Sequence, residues 1–183
     1  MIFREKELTG GRALRSVRAE DAFERERFFR RLHTGCATLA SEADELTGDL
    51  ELVEAMIEDT AESDDAAELA VFGAEGMLAL AALSPVTRAH RRRAHRCAVS
   101  VGTDTAFRGQ GLARLLLTEL LALARRTGYE QAELNVTADN AAAIALYTSL
   151  GFEVCGRIPR ALRMEGGGYT DELMMIKRLE ETV

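Results

Sequence analysis

The stretch VSVGTDTAFRGQGLAR, residues 99–114, decides the fold, because it reads as a strand, a glycine-containing turn and the start of a helix. Gly109 and Gly111 let the backbone turn tightly and let a ligand approach without a Cβ in the way. The first turn of the helix leaves N–H groups available for phosphate oxygens. This stretch therefore predicts an anion site at a helix N-terminus.

Two familiar nucleotide-binding motifs do not fit this turn. Arg114 stands where a dinucleotide-binding fingerprint requires a third glycine, and no Gly-Lys-Ser/Thr follows as in a P-loop. A glycine-containing turn alone is weak support for phosphate binding, since many such turns only connect elements. The segments that follow the turn must therefore decide its role.

Three elements follow in order. The helix continues over 112–126, where strong helix formers leave a wide apolar stripe, and Gly128 ends it. Residues 131–136 then predict a strand, and residues 139–152 predict a capped helix that ends at glycine.

The chain carries two motifs in order, Arg108-x-x-Gly111-x-Ala113 and Asn140-x-x-Ala143-x-x-x-Tyr147-x-x-Leu150-Gly151-Phe152. Together they resemble the acyl-coenzyme A site of the GNAT acetyltransferases. The match covers residues 97–178, and the first half of the chain agrees only in its element order. The resemblance implies an α/β (α+β) fold with a mixed, mostly antiparallel sheet of about seven strands and helices on both faces. It also implies direct acetyl transfer from acetyl-CoA to a primary amine of a small molecule, an amino acid or a protein N-terminus.

The resemblance assigns pyrophosphate binding to the turn and the first helical residues. The backbone amides that would hold it belong to Gly109, Gln110, Gly111, Leu112, Ala113 and Arg114. The side chains of Arg108 and Arg114 either add charge there or are ordinary surface arginines.

Pantetheine, by the same resemblance, lies like an added strand beside residues 97–102, where that strand splays from 131–136. Val99 and Val101 would then supply backbone hydrogen bonds, and a backbone N–H would polarise the thioester carbonyl. Asn140 is expected to cap its helix, and contact with the pantetheine arm is compatible with that role.

Tyr147 is the candidate general acid, which would protonate the departing coenzyme A thiolate from an otherwise apolar wall. By pattern alone it is a core aromatic of an amphipathic helix, and the surrounding match favours the acid. The general base stays open, because residues 97–102 contain no carboxylate, a departure from many GNAT enzymes. Glu133 and His95 are the next candidates, while a water-mediated route or an amine that arrives neutral needs neither.

Composition predicts one domain over residues 1–183, with 47% hydrophobic residues and a net charge of −7. No apolar run is long enough for a membrane span, and residues 1–7 do not resemble a secretory signal, so we expect a cytoplasmic protein. The sequence pI near 5.1 argues against general nucleic-acid binding. The oligomeric state is open, with a homodimer as one option.

The three cysteines predict reduced, mostly buried side chains rather than disulfides, a catalytic thiol or a metal site. They are odd in number, contain no Cys-x-x-Cys pair, and lie far apart at Cys36, Cys97 and Cys155. No supported Cys or Ser nucleophile is visible, which favours direct transfer over a covalent intermediate. A non-catalytic acyl-coenzyme A binding or regulatory domain is the alternative function.

The rest of the chain supplies the expected frame. Its predicted elements are a strand at 12–18, helices at 20–32 and 50–59, a hairpin at 68–73 and 77–83, and a closing hairpin at 152–158 and 170–177. The arginine-rich loop 85–96 is expected to be a solvated connection, with an acidic partner or cofactor phosphates as the other option. Tyr169 and Asp171 share a strand face, so they either bracket a cationic acceptor or form a solvated strand end.

Overall fold

The computed structural model describes residues 3–35, 43–164 and 167–179. Eight strands form in these ranges, namely β1 Lys6–Leu8, β2 Arg12–Ser16, β3 Ala67–Gly73, β4 Gly76–Pro85, β5 Arg96–Thr103, β6 Gln131–Thr137, β7 Glu153–Arg163 and β8 Tyr169–Arg178. Four α-helices accompany them, namely α1 Ala22–Gly35, α2 Leu50–Glu62, α3 Leu112–Arg126 and α4 Ala141–Ser149.

All eight strands form one sheet in the order β1-β2-β3-β4-β5-β6-β8-β7. The pairing of β5 with β6 is parallel, and the other neighbouring pairs are antiparallel. The sheet is therefore mixed and mostly antiparallel, as predicted. The parallel pair arises because the connection between β5 and β6 contains α3, which carries the chain back to the end of the sheet where β5 began.

The expected count of about seven strands omits the short strand β1. Lys6, Glu7 and Leu8 pair with Leu14, Ala13 and Arg12, across a turn in which Gly10 and Gly11 both have positive φ. Two of its three residues are charged and exposed, so the sequence carries no apolar alternation that would predict a strand there. The predicted strand at 12–18 is also shorter, ending at Ser16.

Two apolar cores cover the two faces of the sheet. On one face α3 and α4 pack against the sheet, with Leu116, Leu117 and Leu120 fully buried. On the other face α1 and α2 cover the sheet, with Phe28 of α1 and Ile57 of α2 buried against it. The prediction of helices on both faces is therefore confirmed.

Helix α1 approaches β5 closely at Gly102. A Cβ built on Gly102 would lie 2.7 Å from Cδ2 of Leu32 and 3.5 Å from the tip of the Phe28 ring. A larger residue at this position would force the Leu32 side chain to shift. The absence of a side chain at Gly102 therefore lets α1 pack closely on β5, the strand that the family resemblance assigns to pantetheine.

Hairpin β7–β8 closes the sheet and is irregular. The register shifts between Val154 and Gly156 and again between Ile158 and Leu162. Within the second irregularity Arg160 has φ +52, a left-handed conformation that a residue with a Cβ adopts at a cost. In the turn of this hairpin, Gly167 and Gly168 are left-handed, whereas the preceding Gly166 lies outside the described residues.

Candidate active site

Strands β5 and β6 separate soon after they begin. Their described register covers Arg96–Ala98 of β5 with Gln131–Glu133 of β6, and both strands continue beyond it. Strand β5 stays paired with β4 as far as Thr103, while β6 stays paired with β8 as far as Thr137. A V-shaped opening, here called the splay, therefore lies between the second halves of β5 and β6.

The backbone of β5 is oriented toward this splay. Asp104 donates its N–H to the Leu78 carbonyl at 3.0 Å, and Val86 donates its N–H to the Arg96 carbonyl at 3.1 Å. Because hydrogen-bonded and non-bonded pairs alternate along an antiparallel ladder, the even-numbered residues of β5 bond to β4. Val99 and Val101 therefore direct their N–H and C=O groups toward the splay, as the predicted pantetheine contacts require.

The glycine turn lies at the end of the splay and begins α3. Gly109 has φ +76 and Gly111 has φ +79, and a Cβ built on either would meet nothing within 4 Å. The first helical hydrogen bond runs from the Leu115 N–H to the Gly111 carbonyl at 3.0 Å. The amides of Leu112, Ala113 and Arg114 precede that bond, so the helix itself leaves them available for an anion, with open space above the two glycines.

The two arginines of the turn have protein partners. Arg114 donates from Nη2 to Oγ of Ser149 at 2.6 Å, which links the first turn of α3 to the last turn of α4. Arg108 is exposed, and its Nε lies 3.5 Å from the Thr103 carbonyl oxygen. Arg114 thus links two helices, and the exposed Arg108 side chain has a contact with the end of β5.

Asn140 caps α4, as predicted. Its Oδ1 accepts the N–H of Ala143 at 3.1 Å. The capping role fixes where α4 begins, and α4 in turn carries Tyr147.

Tyr147 lies in the core between α4 and the sheet, with 7% of its surface exposed. Its ring meets Phe152 edge-to-face at a centroid distance of 5.9 Å. Burial raises the pKa of the Tyr147 hydroxyl. The phenol therefore stays protonated at neutral pH, which suits a proton donor. Its ring also belongs to the same apolar cluster as Val99 of β5 and Leu112 of α3. Tyr147 is therefore a core aromatic, and its position is also compatible with the predicted role of general acid.

Glu133 lies at the last β5–β6 pair but is held by other side chains. Arg96 donates to both of its carboxylate oxygens, with Nη2 2.7 Å from Oε2, and Gln131 donates to Oε1 at 2.7 Å. The hydrogen bond from Arg96 outweighs burial and keeps the pKa of Glu133 below its ordinary value. A carboxylate with this environment is a weak proton acceptor, so the geometry does not favour Glu133 as the base.

His95 lies at the other end of β5. It immediately precedes the strand, and Val101 follows six residues later, about 20 Å away along an extended strand. With Tyr129 and Arg178 it lines a surface cavity of about 550 Å³ at the start of β5 and β6. The structure therefore brings Val99, Val101, the glycine turn and Tyr147 together and leaves His95 apart from them.

The other predicted groups have structural partners. Asp171 binds Arg157 at 2.6 Å and accepts the Arg160 N–H at 2.8 Å, while the Arg160 guanidinium lies over the Tyr169 ring at 4.0 Å. Tyr169 and Asp171 therefore stabilise the hairpin irregularity, and the solvated strand end is the reading that fits.

The arginine-rich loop lies at the His95 end of β5, away from the glycine turn, so it does not reach the pyrophosphate site. Arg88 of this loop binds Asp65 at 2.9 Å. In the described ranges, no helix is long and apolar enough to cross a membrane, and no cluster of three or more His, Cys, Asp or Glu side chains is placed to hold a metal ion.

The expectation of mostly buried cysteines holds for one of the two that are described. Cys97 is buried, and burial raises the pKa of its thiol to about 12. Cys155 is exposed, because it lies on edge strand β7 in a segment with both faces open to solvent. Cys36 lies outside the described residues.

Two side-chain pairs at the site were not predicted from sequence. Arg31 of α1 binds Asp104 at 2.6 Å, just ahead of the glycine turn. Asn135 of β6 donates to Glu172 of β8 at 3.1 Å, beside the splay. Partners this far apart in the chain carry no local pattern, and only the sheet register could have indicated the second pair.

Known proteins share this fold. The acetyltransferase of the GNAT family from Streptococcus pneumoniae superposes with a TM-score of 0.86 at 24% identity, covering 91% of this chain and 99% of that one. The yncA protein of Salmonella typhimurium, solved with its cofactor acetyl-CoA, gives a TM-score of 0.81 at 23% identity over 95% of this chain and 97% of that one. At these identities the likeness shows the fold.

Curated relatives are more similar in sequence over a shorter part of the chain. The N-alpha-acetyltransferase RimI of Mycobacterium tuberculosis is 43% identical over 72 residues, which is 39% of this chain and 44% of that protein. This chain thus covers less than half the length of that curated relative. The profile of the acetyltransferase (GNAT) family, by contrast, matches residues 28–152, more than half of the chain, and the protein belongs to that family.

Proposed function

We propose that this protein is an acetyl-CoA-dependent N-acetyltransferase that transfers the acetyl group directly to a primary amine. The observation that carries the proposal is the splay between β5 and β6, which ends at the left-handed glycines before α3. An extended acyl arm and a pyrophosphate need these two features next to each other, and family membership supports the same use.

Backbone groups would bind the co-substrate. The amides from Gly109 to Arg114 would bind the pyrophosphate, where negative charge also interacts favourably with the N-terminus of α3. Val99 and Val101 would bind pantetheine along β5, and a backbone N–H there would polarise the thioester carbonyl. Arg108 would add positive charge at the turn. Asn140 would contact the pantetheine arm while it also caps α4.

Tyr147 would supply the proton for the leaving group. The amine nitrogen forms a bond to the acetyl carbon, the carbon–sulfur bond breaks, and the Tyr147 hydroxyl gives its proton to the departing sulfur. A buried phenol with a raised pKa is protonated before the carbon–sulfur bond breaks, and it regains its proton from solvent after the transfer. Direct transfer requires no protein nucleophile, and the buried thiol of Cys97 is a poor one because its pKa is about 12.

The acceptor belongs to the class of primary amines, and peptide N-termini are the first group to test. The similarity to an N-alpha-acetyltransferase supports that order, although it covers less than half of the relative. The alternative of a non-catalytic acyl-coenzyme A binding domain is not favoured, because the relatives in this family are acetyltransferases. The single-domain organisation and the cytoplasmic location stay predictions, and a homodimer stays one option for the oligomeric state.

The test combines binding with turnover. The purified protein is titrated with acetyl-CoA by calorimetry, and the complex is then offered peptides with free N-termini, amino acids and small amines while thiol release is followed. We expect binding and amine-dependent thiol release with one acceptor class. Binding without release from any acceptor class would instead support a binding domain, and absence of binding would contradict the site.

A further inference from the structure

The structure leaves the proton acceptor of the reaction unassigned. Glu133 is neutralised by Arg96, and His95 lies at the far end of β5. We propose that Glu172 is the general base, held beside the splay by Asn135; this rests on the proposed acetyl transfer.

The position of Glu172 follows from the sheet register. Glu172 of β8 pairs with Thr137 of β6, and Asn135 pairs with Met174. The hydrogen bond from Asn135 Nδ2 to Glu172 Oε2, at 3.1 Å, therefore runs diagonally back across β6. Asn135 comes two residues after the last residue of β6 that pairs with β5. The bond thus places the carboxylate over β6, at the wall of the splay.

Both side chains lie on the face that is open for an acceptor. Since side chains alternate along a strand, Asn135 and Glu172 share the face of Ser100 and Gly102, which is the side of α1. The opposite face is filled by α3, α4 and their apolar cluster. Ser100 and Asn135 are exposed, so an amine can reach the splay from the α1 side.

Among the residues that the structure describes, Glu172 has no cationic partner. Across the ladders it faces Thr137 of β6 and Ile158 of β7, neither of which is charged. The charged group next along this face of β6 is Glu133, which Arg96 binds. Among the described residues the ion pairs on this part of the sheet engage Glu133 and Asp171, and none includes Glu172.

The proposed step balances in protons and bonds. Glu172 accepts one proton from the acceptor ammonium, directly or through one water, so that the neutral nitrogen can form its bond to the acetyl carbon and lose its second proton to solvent. The carbon–sulfur bond breaks, and the sulfur takes its proton from Tyr147. Glu172 then releases its proton to solvent and Tyr147 takes one up, so the protein returns to its starting state.

The experiment compares Glu172→Gln with a matched control, Glu153→Gln. Glu153 is an exposed carboxylate on the same hairpin, paired with Ile176 and away from the splay. For both variants and the unaltered protein, acetyl-CoA affinity is measured by calorimetry, and kcat/KM for the amine is measured from about pH 6.5 to about pH 9.5. Glutamine keeps an oxygen that can accept from Asn135, so the fold should survive, and equal affinities will verify this.

We expect Glu172→Gln to lower kcat/KM about 100-fold near pH 7, with unchanged acetyl-CoA affinity and an unaffected Glu153→Gln control. The deficit should shrink as the pH rises, because more of the amine then arrives already neutral. Glu172→Asp, which keeps a carboxylate, should recover part of the activity.

Activity of Glu172→Gln within about threefold of the unaltered protein would overturn the assignment. A deficit that stays constant across the pH range would do the same, since it would point to a structural effect. If the unaltered protein itself releases no thiol with any amine, the proposed function fails and the base with it. Normal turnover in both the unaltered protein and Glu172→Gln removes Glu172 alone.

Discussion

Arg31 of α1 is bonded to Asp104, the residue that leads from β5 into the glycine turn. Its Nε lies 2.6 Å from Oδ2 of Asp104, and its Nη2 donates to the Met77 carbonyl at 2.8 Å. The other carboxylate oxygen of Asp104 accepts the Ala106 N–H at 3.1 Å and so orders the short 3-10 helix before Arg108. Helix α1 is thereby joined to the glycine turn, which is the proposed pyrophosphate site.

Replacing Arg31 should therefore affect stability and co-substrate binding together. Arg31→Met leaves the largely buried Asp104 without its cation, and we expect a loss of about 1–3 kcal/mol in the free energy of unfolding. Acetyl-CoA should also bind several-fold more weakly, because the turn loses its tie to α1. Urea unfolding and calorimetry measure the two effects.

Arg18→Met, at an exposed surface pair with Glu5, is the control and should change neither by much. Unchanged acetyl-CoA affinity in Arg31→Met would show that the tie has no role in binding.

Gly111 and Gly128 allow the backbone requirement to be separated from ligand contact. They flank α3 with φ of +79 and +91, and neither has an atom within 4 Å of a built Cβ. Asp at either site carries the strain of a left-handed residue, about 1–2 kcal/mol. Only Gly111→Asp adds bulk and negative charge at the predicted pyrophosphate site, so we expect it to weaken acetyl-CoA binding at least tenfold while Gly128→Asp leaves the affinity unchanged. Equal affinities for the two variants, measured by calorimetry, would count against this turn as the pyrophosphate site.

Tyr147→Phe tests the proton donor. The variant keeps the ring and its contact with Phe152, so stability and acetyl-CoA affinity should hold, whereas kcat should fall about 100-fold. Tyr129→Phe is the opposite case, because the Tyr129 hydroxyl donates to the Asp65 carbonyl at 2.7 Å, away from the splay. That control should lose about 1 kcal/mol of stability and keep its kcat. Steady-state kinetics and thermal unfolding of both variants decide, and a normal kcat in Tyr147→Phe would remove the residue from the mechanism.

Much of the fold could be predicted because its signals are local. Asn140 caps α4 and Gly128 follows α3, and each feature depends on residues within one or two turns of the chain. Strand β1 could not be predicted, since it has only three residues, two of them charged and exposed, and they show no apolar alternation. It forms because β2 offers it an edge to pair with.

The candidate site could be predicted where its groups are continuous in sequence, and less so where side chains meet across the sheet. The glycine turn and the strand at Val99 and Val101 are continuous in sequence, so the resemblance to the family motifs was enough to propose a role for each. Whether Glu133 is free, by contrast, depends on Arg96, which is 37 residues away and adjacent only through the parallel register. The same reason hides the pairs of Arg31 with Asp104 and of Asn135 with Glu172.

Asp21 should make the free energy of unfolding depend on pH in the acid range. Its carboxylate is buried, binds the Arg15 guanidinium through two contacts of 2.6 and 2.7 Å, and accepts the Arg18 N–H at 2.8 Å. Burial by itself raises the pKa of Asp21, but the bonds from Arg15 and Arg18 outweigh it, so the pKa lies below its ordinary value of 3.8. Asp65, Asp104 and Glu133 shift in the same direction.

A pKa that is lower in the folded than in the unfolded protein stabilises the fold above the unfolded value, and this stabilisation is lost as the pH falls through the folded value. We therefore expect the free energy of unfolding to be nearly constant above about pH 5 and to fall steeply below about pH 4.

Asp21→Asn should be less stable by about 2–3 kcal/mol at neutral pH, because Arg15 loses its charged partner in a largely buried place. It should also show a shallower acid dependence, since one of the contributing carboxylates is gone. Urea unfolding at a series of pH values measures both, and an acid slope for Asp21→Asn as steep as that of the unaltered protein would show that the stabilisation comes from the other carboxylates.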